Sequence, residues 1–378
     1  MSQTLGRQEE ALGLLSSRFE QVLGALDRQA SMQQALMAET GEAVRLQRDV
    51  LNLQRQALAA VADQGRSGDA WRADVHTRLD RVDQVLAQVE ARATLLATTV
   101  GPRFDEIEVK VRPLVPYDDA SIAVRLGDGY VLAPKDDPVV LTMLADATAG
   151  GFEPGVRQVI RHLARPGMAV ADVGANLGLL TLAAARAVGP AGRVYAFEPE
   201  ARPRDHLRKT LHQNGLAWVE LHAVAVGRAP GVARFHQSAV LGHSSLYALP
   251  DREAAAVVEV QVETLDRLLA GAPLDLAKID VEGAELDVLA GMADTLARNP
   301  DLALIVEYGP SHLERVGISP QDWFGAFTFY GLTPYAIQEP SGICVRVRAN
   351  QRRALQAAES TNLVFVRPGG EAERRLPR

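Results

Sequence analysis

Residues 170–178 read Val-Ala-Asp-Val-Gly-Ala-Asn-Leu-Gly, an apolar run that ends in a glycine-rich turn. Glycines let a ligand approach the backbone closely, and a helix opening after the turn presents free N–H groups. The next apolar run ends at Glu198, 24 residues beyond Gly174. A carboxylate there can accept hydrogen bonds from both hydroxyls of a ribose. A dinucleotide turn has the form G-x-G-x-x-G, so that the backbone can reach a pyrophosphate. Here Asn176 stands at the middle glycine, and Asp172 precedes the turn. A carboxylate beside the ligand repels pyrophosphate but suits an ammonium and a sulfonium, which favours S-adenosylmethionine over NAD.

A second motif is Leu276-Ala277-Lys278-Ile279-Asp280-Val281-Glu282-Gly283-Ala284-Glu285, again a strand ending in carboxylates before a helix. Open parallel sheets bind ligands at the carboxyl ends of their strands, so Asp280 and Glu282 should share the crevice of Gly174. Glu307, at the end of another apolar run, joins them. Asp280, Glu282 and Glu307 are candidate general bases for taking a proton from an attacking hydroxyl. The same three carboxylates suit a hard divalent ion such as Mg²⁺, but no ligand spacing compels one, and a metal is left unassigned. His243 lies in a long insertion between strands, where it reads first as a solvated loop histidine and second as a base. Glu285 fits the plain role of an anion at a helix start. Tyr308 and Tyr330 suit stacking on a sugar, or a place in the core.

These residues need a scaffold of alternating strands and helices. Strand-like runs fall at 169–173, 193–197, 219–226, 276–281, 302–307, 333–337 and 363–366, with helical stretches at 156–163, 177–187, 202–213, 284–297 and 310–328. That alternation predicts a mainly parallel sheet covered on both faces. Upstream, the pattern switches to period two at 107–111, 121–126 and 130–132, with the turn Gly127-Asp128-Gly129, which predicts a hairpin. The expected divisions are a helical region at 1–100, a β-hairpin extension at 101–150, the α/β domain at 151–368, and a loose tail at 369–378.

The turn 172–178, the strand end Phe197-Glu198-Pro199 and above all Lys278–Glu285 resemble the FkbM family of S-adenosylmethionine-dependent methyltransferases. Glu153-Pro154, Asn214, residues 224–227, Thr264-Leu265-Asp266 and Asn362-Leu363 agree, and the resemblance spans about residues 103–367. It implies a Rossmann-like class I methyltransferase fold, α/β, seven-stranded and mainly parallel with the last strand antiparallel. It also implies methyl transfer, usually to oxygen, on sugars of surface glycans or on secondary metabolites. By that resemblance Gly174, Asn176 and Gly178 would line the methionine and ribose, and Glu198 would hold the ribose. Ala225 and Val226, at the end of the third strand, would flank the adenine. Asp280 would sit at the reacting centre, and Glu153 and Asp172 belong to the same cofactor set. The rival readings are a nucleotide-dependent oxidoreductase, and a structural protein whose methyltransferase domain binds cofactor without turnover.

The first hundred residues differ in kind. All 20 prolines and 17 of the 19 aromatics lie beyond them. Leu5, Leu12, Phe19 and Leu26 recur every seven residues, and Met37, Val44, Leu51 and Leu58 do so in a shifted frame. After a break at 64–69, Val75, Leu79, Val82, Leu86, Val89, Ala93 and Leu96 step by four and three. An apolar seam of this period predicts an α-helical coiled coil, and with it a homo-oligomer. A net charge of −7 argues against a nucleic-acid-gripping protein. The one cysteine, Cys344, excludes an intrachain disulfide framework and a cysteine-rich metal site. No apolar run is long enough to span a membrane, and the N-terminus lacks the pattern of a secretory signal. The expected location is therefore cytoplasmic.

Overall fold

The computed structural model describes residues 114–137, 140–144, 153–238, 242–249, 254–351, 355 and 360–378, with Gln84 alone before them. The heptad seam and the strand at 107–111 lie outside the described residues. The chain divides into two units, Met1–Val111 and Arg112–Arg378. The expected strands at 121–126 and 130–132 lie in the second unit.

That unit opens with a small antiparallel sheet of β1 (Leu114–Pro116), β2 (Ser121–Leu126) and β3 (Gly129–Pro134). The two-residue connection Gly127-Asp128 sets Leu126 opposite Gly129, as the sequence predicts. Next come α1 (Pro154–Leu163), β4 (Ala169–Val173), α2 (Leu179–Val188), β5 (Arg193–Phe197), α3 (Ala201–Gln213) and β6 (Val219–His222). Helix α3 closes the free edge of β3. Asn214, its C-terminal cap, accepts from the Tyr130 N–H at 2.9 Å and donates to the Tyr130 carbonyl, while Thr210 Oγ1 accepts from the Leu132 N–H. Side chains thereby satisfy backbone groups that an edge strand leaves unpaired.

The chain continues through β7 (Ala225–Val226), β8 (Gly231–Ser238), β9 (Ala254–Glu263), α4 (Leu265–Leu269), β10 (Leu276–Ile279), α5 (Glu285–Ala290), α6 (Ala293–Arg298) and β11 (Ala303–Tyr308). It ends with α7 (Pro310–Val316), α8 (Pro320–Phe329), β12 (Thr333–Ile337), β13 (Cys344–Arg346), β14 (Thr361–Val366) and α9 (Glu371–Arg375). The main sheet has the order β13-β12-β14-β11-β10-β4-β5-β6. Seven of these strands make the expected sheet, with β14 antiparallel to both neighbours, and β13 adds an eighth at the edge. Both faces are covered, which is why β10 reads as an unbroken buried run. One face packs Val156, Ile160 and Leu182 of α1 and α2. The other packs Trp323, Phe324 and Phe327 of α8, the last ring stacked 4.1 Å from Phe365 of β14.

Four expectations change. The run 219–226 is not one strand: the chain leaves the main sheet after His222, and Ala225–Val226 pair with Val262 and Glu263 in a separate sheet of order β7-β9-β8. An apolar run carries no information about which neighbour it will pair with. The helix at 310–328 breaks in two at Gly317, which takes a left-handed φ of 69°. Ser319 then caps the new helix by accepting from the Asp322 N–H, with Pro320 in the first turn. The helix at 284–297 likewise divides into α5 and α6, with Gly291 and Met292 between them. The tail at 369–378 is helical at α9 and buries Ala372 and Leu376, while Arg375 donates to the Leu163 carbonyl.

Because Leu376 fills the core, Leu376→Ala should cost about 2 kcal/mol and lower the melting temperature by roughly 4–8 °C in a thermal unfolding scan. A tail that only trails in solvent would leave the melting temperature unchanged.

Candidate active site

A cavity of about 1420 Å³ opens where β4, β5, β10 and β11 end. Gly174 shapes its floor for a packing reason. Its φ is +85°, and a Cβ there would lie 1.8 Å from the Asp280 carbonyl oxygen, so only glycine lets β4 and β10 close together. Gly178 serves packing as well. A Cβ would lie 2.4 Å from Leu207 of α3, and Gly178 is not among the cavity walls. Eight of the nine expected cofactor residues line the cavity: Glu153, Asp172, Gly174, Asn176, Glu198, Ala225, Val226 and Asp280. Ala225 and Val226 reach it from β7 of the separate sheet rather than from the end of a third main-sheet strand.

Glu198 is buried and locks the glycine turn to its own. Its Oε2 accepts from the Asn176 N–H at 2.9 Å, and its Oε1 from the Glu200 N–H at 2.8 Å. Burial outweighs these bonds and pushes its pKa up to about 7. Asp172 accepts from Thr181 Oγ1, and burial raises it to about 6. Glu153 accepts from Asn362 Nδ2 at 2.8 Å and is also raised by burial. The Asn176 Oδ1 is buried with no hydrogen-bond partner.

Asp280 pairs with the buried Lys278 at 2.9 Å, and that ammonium overrides burial to hold its carboxyl below the usual range. Glu307 lies on the same wall, raised well above its ordinary value by burial and by the Asp280 charge. Glu282 bonds His312 Nε2 through Oε2 at 2.9 Å, and His312 Nδ1 lies 4.0 Å from Glu307 Oε2. The three expected bases, Asp280, Glu282 and Glu307, are therefore together, joined by two residues without an expected role, Lys278 and His312. His312 was hidden because residues 310–328 read as one amphipathic helix. The available signal was the break Gly309-Pro310, which brings a polar residue to a strand end. For a divalent ion, the atoms within 4.8 Å of one another belong to Glu282, Glu307 and His312 rather than to Asp280.

Glu285 closes its own turn by accepting from the Gly283 N–H at 2.9 Å, the plain role. Tyr308 is buried against Trp323 and Phe324 and is not part of the cavity wall. His243 does line the cavity.

The pKa of Glu198 is raised in the fold above its ordinary 4.5. Its contribution to stability is therefore full at pH 4.5 or below and is lost as pH rises through 7. Urea unfolding at pH 5 and pH 8 should show wild type losing about 3 kcal/mol relative to Glu198→Gln across that interval. Parallel curves would show that Glu198 ionises without hindrance.

Residues 172–332 match the model of the Methyltransferase FkbM domain. Methyltransferase 1 of Beauveria bassiana (strain ARSEF 2860) is 28% identical over 146 residues, 33% of this chain. The chain spans 58% of the length of that curated relative. Among solved structures, a SAM-dependent methyltransferase from Aquifex aeolicus covers 61% of this chain and 98% of its own, at 14% identity and TM-score 0.36. The O-methyltransferase TomG from Streptomyces achromogenes, solved with SAM, covers 58% and 80%, at 16% identity and TM-score 0.33. The glycine turn, Glu198 and all three strand-end carboxylates fall inside the span that matches the FkbM methyltransferase domain model.

Proposed function

We propose that the chain is an S-adenosylmethionine-dependent O-methyltransferase acting on a hydroxyl of a sugar, in a surface glycan or a secondary metabolite. The observation that carries this reading is the charge of the cavity. Glu153, Asp172, Glu198, Asp280, Glu282 and Glu307 all face it, against Lys278, Arg315 and two histidines. Such a wall suits a cation and opposes a pyrophosphate, which counts against the oxidoreductase alternative.

The residues fit the proposed cofactor. Glu198 would hold the ribose hydroxyls, and the unpartnered Asn176 Oδ1 offers an acceptor to an ammonium. Val226 and Phe235 give an apolar wall for the adenine. When bound, the sulfonium supplies an electrophilic methyl group. Methyl transfer is then an in-line displacement, so what the chain contributes is positioning, exclusion of water and a place for the acceptor's proton. A neutral polyol can donate to the carboxylates of this wall, whereas an anionic acceptor would be repelled by them. Metal use is not part of the proposal.

The heptads of residues 1–100 support a homo-oligomer through a coiled coil. No helix among the described residues is long and apolar enough to cross a membrane. Sedimentation of a version beginning at residue 101 should give a smaller assembly than the full chain. Equal stoichiometry would refute self-association.

Calorimetric titration should show S-adenosylhomocysteine binding to the full chain and NADH failing to bind. Glu198→Ala should weaken S-adenosylhomocysteine at least about tenfold, the loss of charge-assisted hydrogen bonds. Binding of NADH, or an unchanged affinity in the variant, would sink the assignment.

A further inference from the structure

We infer that His312 and Glu282 form a general-base pair for the acceptor, with His312 Nδ1 receiving the proton of the attacking hydroxyl. The inference rests on the methyl-transfer reading above and names the base within it.

The tautomer follows from the partner. Glu282 Oε2 lies 2.9 Å from His312 Nε2. An ionised carboxylate only accepts, so the ring hydrogen belongs on Nε2, and the neutral ring then keeps its lone pair on Nδ1. Nδ1 and Glu307 Oε2 are 4.0 Å apart, too far to bond each other. Glu307 is largely buried and shares a hydrogen bond with Asp280. His312 lines the cavity, so the Nδ1 lone pair is left for a hydroxyl donor there.

The backbone supports the same arrangement. Glu282 is not a glycine, yet its φ is +55°, a left-handed conformation that L residues adopt only when their surroundings hold them there. Its carbonyl is held there by Ser245 Oγ at 2.8 Å and by the Arg315 guanidinium. Glu153 and Asn176 share this conformation and also line the cavity, so three of the four such residues described gather at one place. Gly309 leaves room for the ring, since a Cβ there would lie 2.5 Å from Nδ1.

In the step itself a lone pair of the acceptor oxygen forms the O–C bond and the C–S bonding pair stays on sulfur. The acceptor's proton passes to Nδ1, and the resulting imidazolium is stabilised by Glu282. The groups facing the ring are Glu282, Glu285, Glu307 and Asp280, against Arg315. Burial opposes the charged ring, but Glu282 prevails and His312 is raised above 6.5. The base is therefore free only on the alkaline side, and turnover should climb with pH through that ionisation.

The test uses the full chain labelled with ¹⁵N-histidine, in which His312 is one of eight histidines and is assigned by its loss in His312→Gln. With S-adenosylhomocysteine present, the neutral ring should be the Nε2–H tautomer with a pKa above 6.5, and Glu282→Gln should lower that pKa. An Nδ1–H tautomer, or indifference to Glu282→Gln, would overturn the pair.

Transfer of labelled methyl from S-adenosylmethionine to a panel of methyl glycosides gives the second readout. His312→Gln should lower kcat at least about 100-fold and flatten its alkaline rise, with S-adenosylhomocysteine affinity kept within about twofold. A wild-type rate and pH profile in that variant would overturn the inference, as would a wild-type rate abolished by EDTA and restored by Mg²⁺. If wild type binds no S-adenosylhomocysteine and labels no glycoside, the proposed function fails instead, while the spectrum still decides the pair.

Discussion

The Lys278 ammonium is 2% exposed and sits where β10 ends, 2.9 Å from Asp280. Burial alone would favour its neutral form, yet Asp280, Glu153 and Glu307 together hold it charged. The dependence is mutual, because an uncompensated charge in that position would be costly for either partner. Lys278 keeps Asp280 ionised, and ionised Asp280 in turn pushes Glu307 towards its protonated form. Two carboxylates at neighbouring strand ends thereby shift in opposite directions beside one buried cation.

The same pair fixes geometry. The Asp280 carbonyl occupies the space that a side chain at Gly174 would need, so the two motif-bearing strands meet at van der Waals distance. On the far side of the cavity Glu198 ties the glycine turn to the end of β5 through two backbone N–H groups. A ligand entering between them meets a wall already closed on itself, with few groups left to reorganise. Carboxylates in excess of cations leave the cavity short of positive charge.

Much of this was legible in the chain itself. Strands β4, β5, β10 and β11 announce themselves as apolar runs, and each ends in the acid or glycine that reaches the cavity. The hairpin at Gly127-Asp128 followed from its turn residues. Less visible were the parts that depend on partners remote in sequence. Ala225 and Val226 look continuous with β6 but pair with β9, because local hydrophobicity does not specify a neighbour. Gly178 reads as a ligand glycine, but the tertiary structure also puts Leu207 where its side chain would be. The tail looks polar, yet Ala372 and Leu376 find the core across hundreds of residues of separation.

The sequence by itself determined which residue types end each strand, since burial of a strand and the turn that follows it are local properties of composition and spacing. It therefore determined the α/β class and the presence of Asp172, Glu198, Asp280, Glu282 and Glu307 at one edge of a sheet. Only the tertiary structure decided what each carboxylate does. Protonation and hydrogen bonding depend on distances of a few ångströms between groups far apart in the chain, as with Glu153 and Asn362, or Glu282 and His312. Those distances are set by packing, and no spacing in the sequence records them.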